Sequence, residues 1–204
     1  MGHLNAFYVP QLIEDFKLSH YVETGTGEGL TLSQALSFNF KALHSIEFDK
    51  YMYDLAIQKF KDPRLTLHLG LSRDILPQIL TGLKNDENVL FFLDAHFPGS
   101  DFRTGPGYIE SVSLYGHDAL PLRDELEIIR KIRPESKDVF IVDDLRIYED
   151  GNYETGNWNE RKNLNIENSS FVYDLLKKTH NIQVDLKQQG YLLIKPLSPT
   201  LEEI

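Results

Sequence analysis

Residues 21–29 read YVETGTGEG, a run in which an acidic residue precedes glycines at every second position. The apolar residues before this run are typical of a strand, and the apolar spacing after it is typical of a helix. Because glycine has no Cβ, Gly25, Gly27 and Gly29 allow positive φ angles and bring the backbone close to a bound molecule. The run therefore predicts a strand-to-helix turn that binds a nucleotide-like ligand.

The spacing of the glycines disfavours a dinucleotide such as NAD. The dinucleotide fingerprint has its third glycine three positions after the second. Leu30 stands at that position, and the third glycine comes one residue early, at Gly29. A dehydrogenase is therefore an alternative only if this spacing misleads, and a tight turn without any ligand is the other alternative.

A second acidic residue stands at the end of the next expected strand. Residues 42–47 read ALHSIE and end at Glu47. A carboxylate there accepts hydrogen bonds from both hydroxyls of a ribose, and Phe48 is placed to contact the face of an adenine ring. A third strand over 65–69 is followed by Leu71 and Ser72, where a helix begins.

These motifs together resemble class I S-adenosylmethionine-dependent methyltransferases. The resemblance implies that the methionine part of the cofactor lies over the glycines, with Glu23 near its ammonium group. It also implies adenine contacts after the third strand, where Leu71 replaces the usual acidic residue and leaves the contact to the backbone and hydroxyl of Ser72. The implied cofactor-binding residues are Glu23, Gly25, Thr26, Gly27, Gly29, Thr31, Glu47, Phe48, Leu71, Ser72 and Asp94.

Strands and helices alternate along the chain, which predicts a parallel sheet covered by helices on both faces. The last two strands are joined by a short polar turn and resemble the closing antiparallel pair of class I methyltransferases. The resemblance implies a Rossmann-like α/β fold with a mostly parallel seven-stranded sheet in the order 3-2-1-4-5-7-6. The expected strands are 21–23, 42–47, 65–69, 89–93, 139–142, 182–186 and 190–195.

Composition agrees with one enzyme domain over residues 1–204, either a whole protein or one domain excised from a longer one. A hydrophobic content of 41% supports a sizeable core, and the absence of cysteine excludes disulfides and cysteine-ligated zinc. No apolar run is long enough to span a bilayer, and no basic region precedes an apolar stretch at the N-terminus. We therefore expect a cytoplasmic protein.

The charge of the chain disfavours a nucleic-acid partner. The formal net charge is −10, and the short basic groups do not form a stripe that would face phosphates. Nucleic-acid methyltransferases also carry a proline-rich aromatic tetrapeptide after the fourth strand, whereas residues 94–97 read DAHF. We therefore expect a small-molecule or glycan acceptor.

Two long irregular stretches, 97–119 and 145–167, leave the carboxyl ends of the fourth and fifth strands. Long loops are uncommon unless they are functional or disordered, and ligands bind at this edge of open α/β sheets. We expect an acceptor-binding lid rather than two mobile surface loops. Its candidate contact residues are Tyr108, Tyr115, Tyr148, Tyr153 and Trp158, with His117 and Arg103 also in the lid.

Acidic residues and a histidine follow the same two strands. Asp94 ends the fourth strand, His96 follows two residues later, and Asp143 and Asp144 end the fifth. Carboxylates that converge in this way raise one another's pKa unless a cation joins them, and Mg²⁺ or Mn²⁺ takes such oxygen ligands. We expect Asp94, Asp143 and Asp144 to bind a metal ion, and Asp94, His96 and Asp144 to be catalytic.

These residues, with the segments 92–96, 121–127 and 142–144, resemble metal-dependent O-methyltransferases of the catechol and macrocin or sugar types and methyltransferases of glycan assembly. The resemblance implies methyl transfer to a hydroxyl of a sugar or glycan, where a metal lowers the pKa of that hydroxyl. An imidazole titrates near neutral pH, so His96 is a candidate base for the acceptor proton, and a structural role at the start of the loop is the alternative. A metal-independent small-molecule O-methyltransferase with His96 as base and a noncatalytic cofactor-binding module are the alternatives. The oligomeric state stays open.

Overall fold

The computed structural model describes residues 3–100 and 104–197. Strands and α-helices alternate through most of this part of the chain. The strands are β1 Leu18–Thr24, β2 Ala42–Glu47, β3 Leu65–Leu69, β4 Asn88–Leu93, β5 Val139–Val142, β6 His180–Asp185 and β7 Tyr191–Pro196. The α-helices are α1 Val9–Phe16, α2 Leu30–Ala35, α3 Lys50–Lys59, α4 Ser72–Thr81, α5 Tyr108–Tyr115, α6 Leu122–Ile132 and α7 Ser170–Leu176. None of the described helices is long and apolar enough to cross a membrane.

All seven strands form one sheet in the order β3-β2-β1-β4-β5-β7-β6, which is the order expected from the sequence. The sheet is mixed rather than mostly parallel. Neighbouring strands from β3 to β5 pair in parallel, whereas β7 pairs antiparallel with both β5 and β6. The reason is the short turn between β6 and β7, which reverses the chain without a crossover helix.

The central strand β4 shows why the sheet is covered on both faces. Its side chains point alternately to the two faces, so an unbroken apolar strand supplies two separate cores. Val89, Phe91 and Leu93 pack into the core under α4, α6 and α7, while Leu90 and Phe92 pack into the core under α1 and α2. This arrangement buries the middle of the sheet and directs the carboxyl ends of its parallel strands to one edge.

The expected bounds of β2, β3 and β5 agree with the structure. The expectation of an irregular stretch over 97–119 is wrong, because α5 and a short 3₁₀-helix at Gly116–Ala119 lie within it. Helical spacing of Tyr108, Val112 and Tyr115 packs one side of α5 against the core. The Gly and Ser content of the surrounding residues hid this period. The stretch 145–167 is largely irregular, with 3₁₀-helices at Leu145–Ile147 and Asn159–Asn163.

Candidate active site

The glycine turn joins β1 to α2 at the carboxyl edge of the sheet. Gly25, Gly27 and Gly29 have φ angles of 82°, 51° and 71°, which only glycine adopts without strain. A Cβ on Gly25 would lie 2.8 Å from the carbonyl oxygen of Asp94, so the turn and the end of β4 are in close contact. Gly29 is the N-cap of α2, and a Cβ there would collide with the ring of Phe60.

Glu47 closes the turn from the neighbouring strand. Its Oε2 accepts a hydrogen bond from the backbone N–H of Gly27 at 2.9 Å, and its Oε1 accepts from the N–H of Asp49 at 2.7 Å. Burial raises the pKa of Glu47, and these two backbone donors oppose that rise. Phe48 follows with 38% of its surface exposed and packs edge-on against Tyr115. Each Glu47 oxygen keeps a lone pair for a further donor.

One cavity of about 360 Å³ runs along this edge of the sheet. Its size falls in the range of cofactor and small-molecule sites. All the expected cofactor-binding residues line it except Glu23 and Gly29. Those that line it are Gly25, Thr26, Gly27, Thr31, Glu47, Phe48, Leu71, Ser72 and Asp94. The cavity continues past Asp94 to His96, Asp144 and the two loops, so the glycine turn and the acidic residues share one space.

Glu23 lies beneath the cavity and does not line it. Its side chain is only 2% exposed, and its two oxygens accept hydrogen bonds from the Tyr21 hydroxyl at 2.8 Å and the Ser45 hydroxyl at 2.6 Å. Burial raises the pKa of Glu23 to about 8, more than these two hydrogen bonds lower it. Glu23 is therefore protonated near neutral pH and ties β1 to β2 under the turn.

The structure brings Asp94, His96 and Asp144 together at the other end of the cavity. His96 Nε2 lies 3.0 Å from Asp144 Oδ2 in a hydrogen bond and 3.4 Å from Asp94 Oδ1 at ion-pair distance. One potential ligand atom from each of the three residues lies within 4.8 Å of the others. Oδ1 of Asp94 and Oδ1 of Asp144 are buried and make no hydrogen bond within the described residues.

The charges of this group depend on one another. Burial disfavours an imidazolium at His96, but the hydrogen bonds and charges of Asp144 and Asp94 outweigh it and raise the pKa of His96 well above its usual value. Burial also raises the pKa of Asp94, whereas His96 and Arg146 together lower that of Asp144. Without a metal ion, His96 is therefore protonated at neutral pH and faces the Asp144 carboxylate.

Asp143 is not among the three described residues whose ligand atoms lie together, although the sequence predicts it as a metal ligand. Its Oδ1 accepts the N–H of Asp144 at 2.7 Å, and the residue lines a second, small cavity that Asp94, His96, Glu125 and Tyr148 also line. Asp144 takes a left-handed φ of 51°. Burial, together with the charges of Asp94 and Asp144, raises the pKa of Asp143 well above its usual value.

The residues that surround the group fit a divalent metal ion. Two buried carboxylate oxygens lack donors, and a third ligand atom, His96 Nε2, lies nearby. Two carboxylates with one imidazole suit Mn²⁺ better than Mg²⁺, which prefers oxygen alone. Asp94 and Asp144 are thus two of the three expected ligands that the structure brings together, with His96 beside them, and Asp143 as a ligand stays a prediction.

Some aromatic residues of the two loops line the cavity, and others are buried in the core. Tyr108 and Trp158 line the cavity, and their rings pack edge-on at 5.2 Å while Trp158 also contacts Phe97 at 5.2 Å. Tyr148 and Tyr153 were expected to contact the acceptor, but both are only 6% exposed and belong to the core. Tyr115 and His117 do not line the cavity, and Arg103 lies outside the described residues.

Two polar residues that sequence reasoning missed also line the end of the cavity that contains His96 and Asp144. They are Arg146 and Gln189, which are joined by a hydrogen bond from the Arg146 N–H to the Gln189 carbonyl at 3.1 Å. Arg146 stands two positions after Asp144, so a cation next to a predicted acidic site was the available signal. Gln189 lies in the β6–β7 turn and carries no such signal.

Neither protein-family models nor curated proteins give a match to this chain. Solved structures do match. An O-methyltransferase from Bacillus cereus in complex with SAH is 15% identical over 97% of this chain and 82% of that chain, with a TM-score of 0.52. A Staphylococcus aureus protein assigned as a caffeoyl-CoA O-methyltransferase is 12% identical over 97% and 85%, with a TM-score of 0.55.

A Listeria monocytogenes protein assigned as an S-adenosylmethionine-dependent methyltransferase is similar over most of both chains. It is 14% identical over 93% of this chain and 96% of that chain, with a TM-score of 0.51. Likeness at this level of identity carries the fold and not the chemistry. Together with the strand order β3-β2-β1-β4-β5-β7-β6, it shows that this chain has the Rossmann-like fold of the S-adenosylmethionine-dependent methyltransferases.

Proposed function

We propose that residues 1–204 form one S-adenosylmethionine-dependent O-methyltransferase domain that methylates a hydroxyl of a sugar or glycan with the help of a divalent metal ion. The observation that carries this proposal is the single cavity that joins the glycine turn to Asp94, His96 and Asp144. A cofactor over the turn would place its methyl group toward the acidic end. The names of the similar structures, two of them O-methyltransferases, support the same reaction.

The residues at the turn suit the nucleoside part of the cofactor. Glu47 has lone pairs directed into the cavity edge for the ribose hydroxyls, and the exposed face of Phe48 suits an adenine ring. Gly25 lies close to the carbonyl group of Asp94, so the two ends of the cavity meet at backbone atoms rather than at side chains. When bound, S-adenosylmethionine supplies an electrophilic methyl group, and displacement at this carbon depends chiefly on alignment.

The residues at the acidic end suit an acceptor hydroxyl. A divalent ion, when bound by Asp94, Asp144 and His96, supplies a Lewis acid that lowers the pKa of a hydroxyl. Tyr108 and Trp158 provide apolar ring surfaces of the kind that pack on sugar rings.

The protonation of His96 favours the metal-dependent reaction over the alternative with His96 as the base. In the absence of a metal ion, Asp144 and Asp94 keep the imidazole protonated at neutral pH, so it has no lone pair for the acceptor proton. A metal-independent enzyme of this kind would need a pH above the raised pKa of His96. Activity that survives a chelator at neutral pH would contradict this reasoning.

The first test is calorimetric titration with S-adenosylmethionine, with and without Mn²⁺, and with NADH as the control ligand. We expect S-adenosylmethionine to bind and NADH not to bind. Methyl transfer to sugar hydroxyls is then measured with Mn²⁺ and with a chelator, and we expect transfer only with the metal. Binding of NADH alone would overturn the proposal, and cofactor binding without transfer to any hydroxyl would favour a noncatalytic module.

A further inference from the structure

Arg146 is a cation at the acceptor end of the cavity. It follows Asp144 in the 3₁₀-helix Leu145–Ile147, and its backbone N–H is held by the Gln189 carbonyl at 3.1 Å. Its side chain is 25% exposed and lines the cavity. The backbone of Arg146 is therefore fixed at both the β5 end and the β6–β7 turn, while its guanidinium reaches the ligand space.

The guanidinium of Arg146 uses few of its five donors. Its buried Nε lies 3.3 Å from Asp144 Oδ1 without hydrogen-bond geometry, and its Nη1 donates to the Thr155 hydroxyl at 3.4 Å. We find no hydrogen bond from Nη2 among residues 3–100 and 104–197. Arg133 uses more of its donors, because its guanidinium donates hydrogen bonds to both carboxylate oxygens of Asp138 and to two backbone carbonyls.

The other arginine that lines the cavity stands among the expected cofactor-binding residues. Arg73 lies at the start of α4, beside the cofactor residues, and its Nη1 is 2.8 Å from Asp118 Oδ1. Among the described lining residues, Arg146 is thus the arginine that stands next to Asp144 at the acidic end of the cavity, and its Nη2 makes no hydrogen bond within the described residues. The chain has a net charge of −10, so an anion in this cavity needs such a local cation.

We propose that the acceptor carries an oxyanion, a carboxylate or a phosphate, which Arg146 binds through its Nη atoms. Oxyanions match the planar fork of a guanidinium, and Trp158 and Tyr108 line the same end of the cavity for the ring of the acceptor. The acceptor class is then a sugar acid or a sugar phosphate. This inference rests on the proposed function, since it assumes that the acceptor hydroxyl lies at this end.

A merely structural role for Arg146 makes a different prediction. Arg146 helps to lower the pKa of Asp144, and a residue with that role alone would leave neutral and anionic sugars equally bound. The test is therefore a difference between ligands. The probes are D-glucuronate, glucose 6-phosphate and glucose, titrated by calorimetry with Mn²⁺ and saturating S-adenosylhomocysteine.

We expect one of the two anionic sugars to bind at least about tenfold more tightly than glucose, as charge-assisted hydrogen bonds allow. The tighter of the two identifies a carboxylate or a phosphate. Arg146→Gln should remove this preference and leave S-adenosylhomocysteine affinity unchanged. Arg123→Gln is the matched control, because it removes the same charge from a surface arginine outside the cavity and should keep the preference.

Equal affinity for the three sugars, undetectable binding of all three, or a preference that survives Arg146→Gln would each overturn the inference. These results are separate from a failure of the proposed function. If S-adenosylhomocysteine binds and the sugars show no preference, the methyltransferase proposal stands without the anionic acceptor. If S-adenosylhomocysteine and S-adenosylmethionine both fail to bind, the proposed function itself fails.

Discussion

The two ends of the cavity are built in different ways. The cofactor end consists of three short strand-to-helix turns, after β1, β2 and β3, whose contacts are made by neighbouring strands. The acceptor end consists of two long loops held to each other, as when Trp158 packs on Phe97 and Tyr108. Each turn of the first end is formed by residues close in sequence, whereas the second end depends on contacts between distant segments.

We therefore expect changes at the two ends to affect different steps, cofactor binding at one end and methyl transfer at the other. A change at the turns should alter cofactor affinity and leave the acceptor loops in place, whereas a change at the loops should do the reverse. Asp94 is the residue where the two ends meet, because its carbonyl oxygen faces Gly25 and its carboxylate faces His96. Matched substitutions at each end therefore test whether the division is real.

The largest effect is expected from substitution of Asp144, and the adjacent Asp143 provides the comparison. Asp144→Asn removes the partner of His96 and one of the two grouped carboxylates, so we expect kcat/KM to fall by about 10³-fold. Asp143→Asn replaces a carboxyl whose pKa burial raises well above its usual value, so a neutral amide resembles it more closely, and we expect a change below about threefold. Steady-state kinetics with Mn²⁺ measures both variants.

The control for this pair is cofactor affinity, which calorimetry should find unchanged in Asp144→Asn. If Asp143→Asn is as inactive as Asp144→Asn, the result would support Asp143 as a metal ligand, as the sequence predicts.

A smaller effect is expected at the glycine turn. Gly25→Ala places a Cβ 2.8 Å from the Asp94 carbonyl oxygen, and overpacking of this kind costs about 1–3 kcal/mol. We expect S-adenosylmethionine affinity to fall by about tenfold to a hundredfold. Gly156→Ala is the matched control, since its φ of 79° brings the same backbone strain but its Cβ meets nothing within 4 Å. It should keep the affinity, and equal losses in both variants would show that backbone strain alone is responsible.

Substitution of Glu23, which lies beneath the cofactor end of the cavity, tests whether this buried carboxyl affects stability and cofactor binding. Its folded pKa of about 8 lies above its usual 4.5, so the folded protein holds a proton that the unfolded chain loses. Its contribution therefore makes stability fall as the pH rises between these values, by about 2 kcal/mol from pH 6 to pH 8. Glu23→Gln should reduce this fall, as measured by urea unfolding at both pH values.

The buried position of Glu23 also predicts a binding result. A neutral group beneath the cavity attracts no ammonium, so Glu23→Gln should leave S-adenosylmethionine affinity at pH 7 nearly unchanged. A large loss of affinity would place Glu23 beside the cofactor, as the family resemblance implies. An unchanged slope of stability against pH would show instead that Glu23 is ionised in the folded protein.

The same division explains what the sequence predicted. The strand order, the glycine turn and Glu47 follow from local chemistry, because apolar runs, turn residues and strand ends lie next to each other in the chain. The grouping of Asp144, rather than Asp143, with Asp94 and His96 does not. Asp144 has a left-handed φ of 51°, and its residue type alone does not predict that backbone.

Long-range packing explains the errors at the acceptor end. Tyr153 was expected in the lid but packs into the core, where Gly190, far along the chain, leaves space for its ring. A Cβ on Gly190 would collide with that ring. Such a complementary pair cannot be found from either residue alone. Arg146 was missed for a similar reason, because its exposure to the cavity depends on the β6–β7 turn that holds its backbone.

The smallest effect is expected from removing one aromatic ring at each end. Phe48→Ala should weaken S-adenosylmethionine binding by about threefold to tenfold, since one aromatic contact contributes about 0.5–1.5 kcal/mol beyond its area. Trp158→Ala should raise the KM for the acceptor by a similar factor and leave cofactor affinity unchanged. Titration and steady-state kinetics on both variants measure the two effects.

Tyr115→Ala tests whether the Phe48 ring contributes by contacting the cofactor or by packing against α5. Tyr115 packs on Phe48 from α5 but does not line the cavity, so its loss removes the packing of the acceptor loop on the cofactor end and no ligand surface. If Tyr115→Ala weakens cofactor binding as much as Phe48→Ala, the Phe48 ring acts by holding α5 in place. The two ends would then be coupled through α5, and cofactor binding would order the acceptor loops.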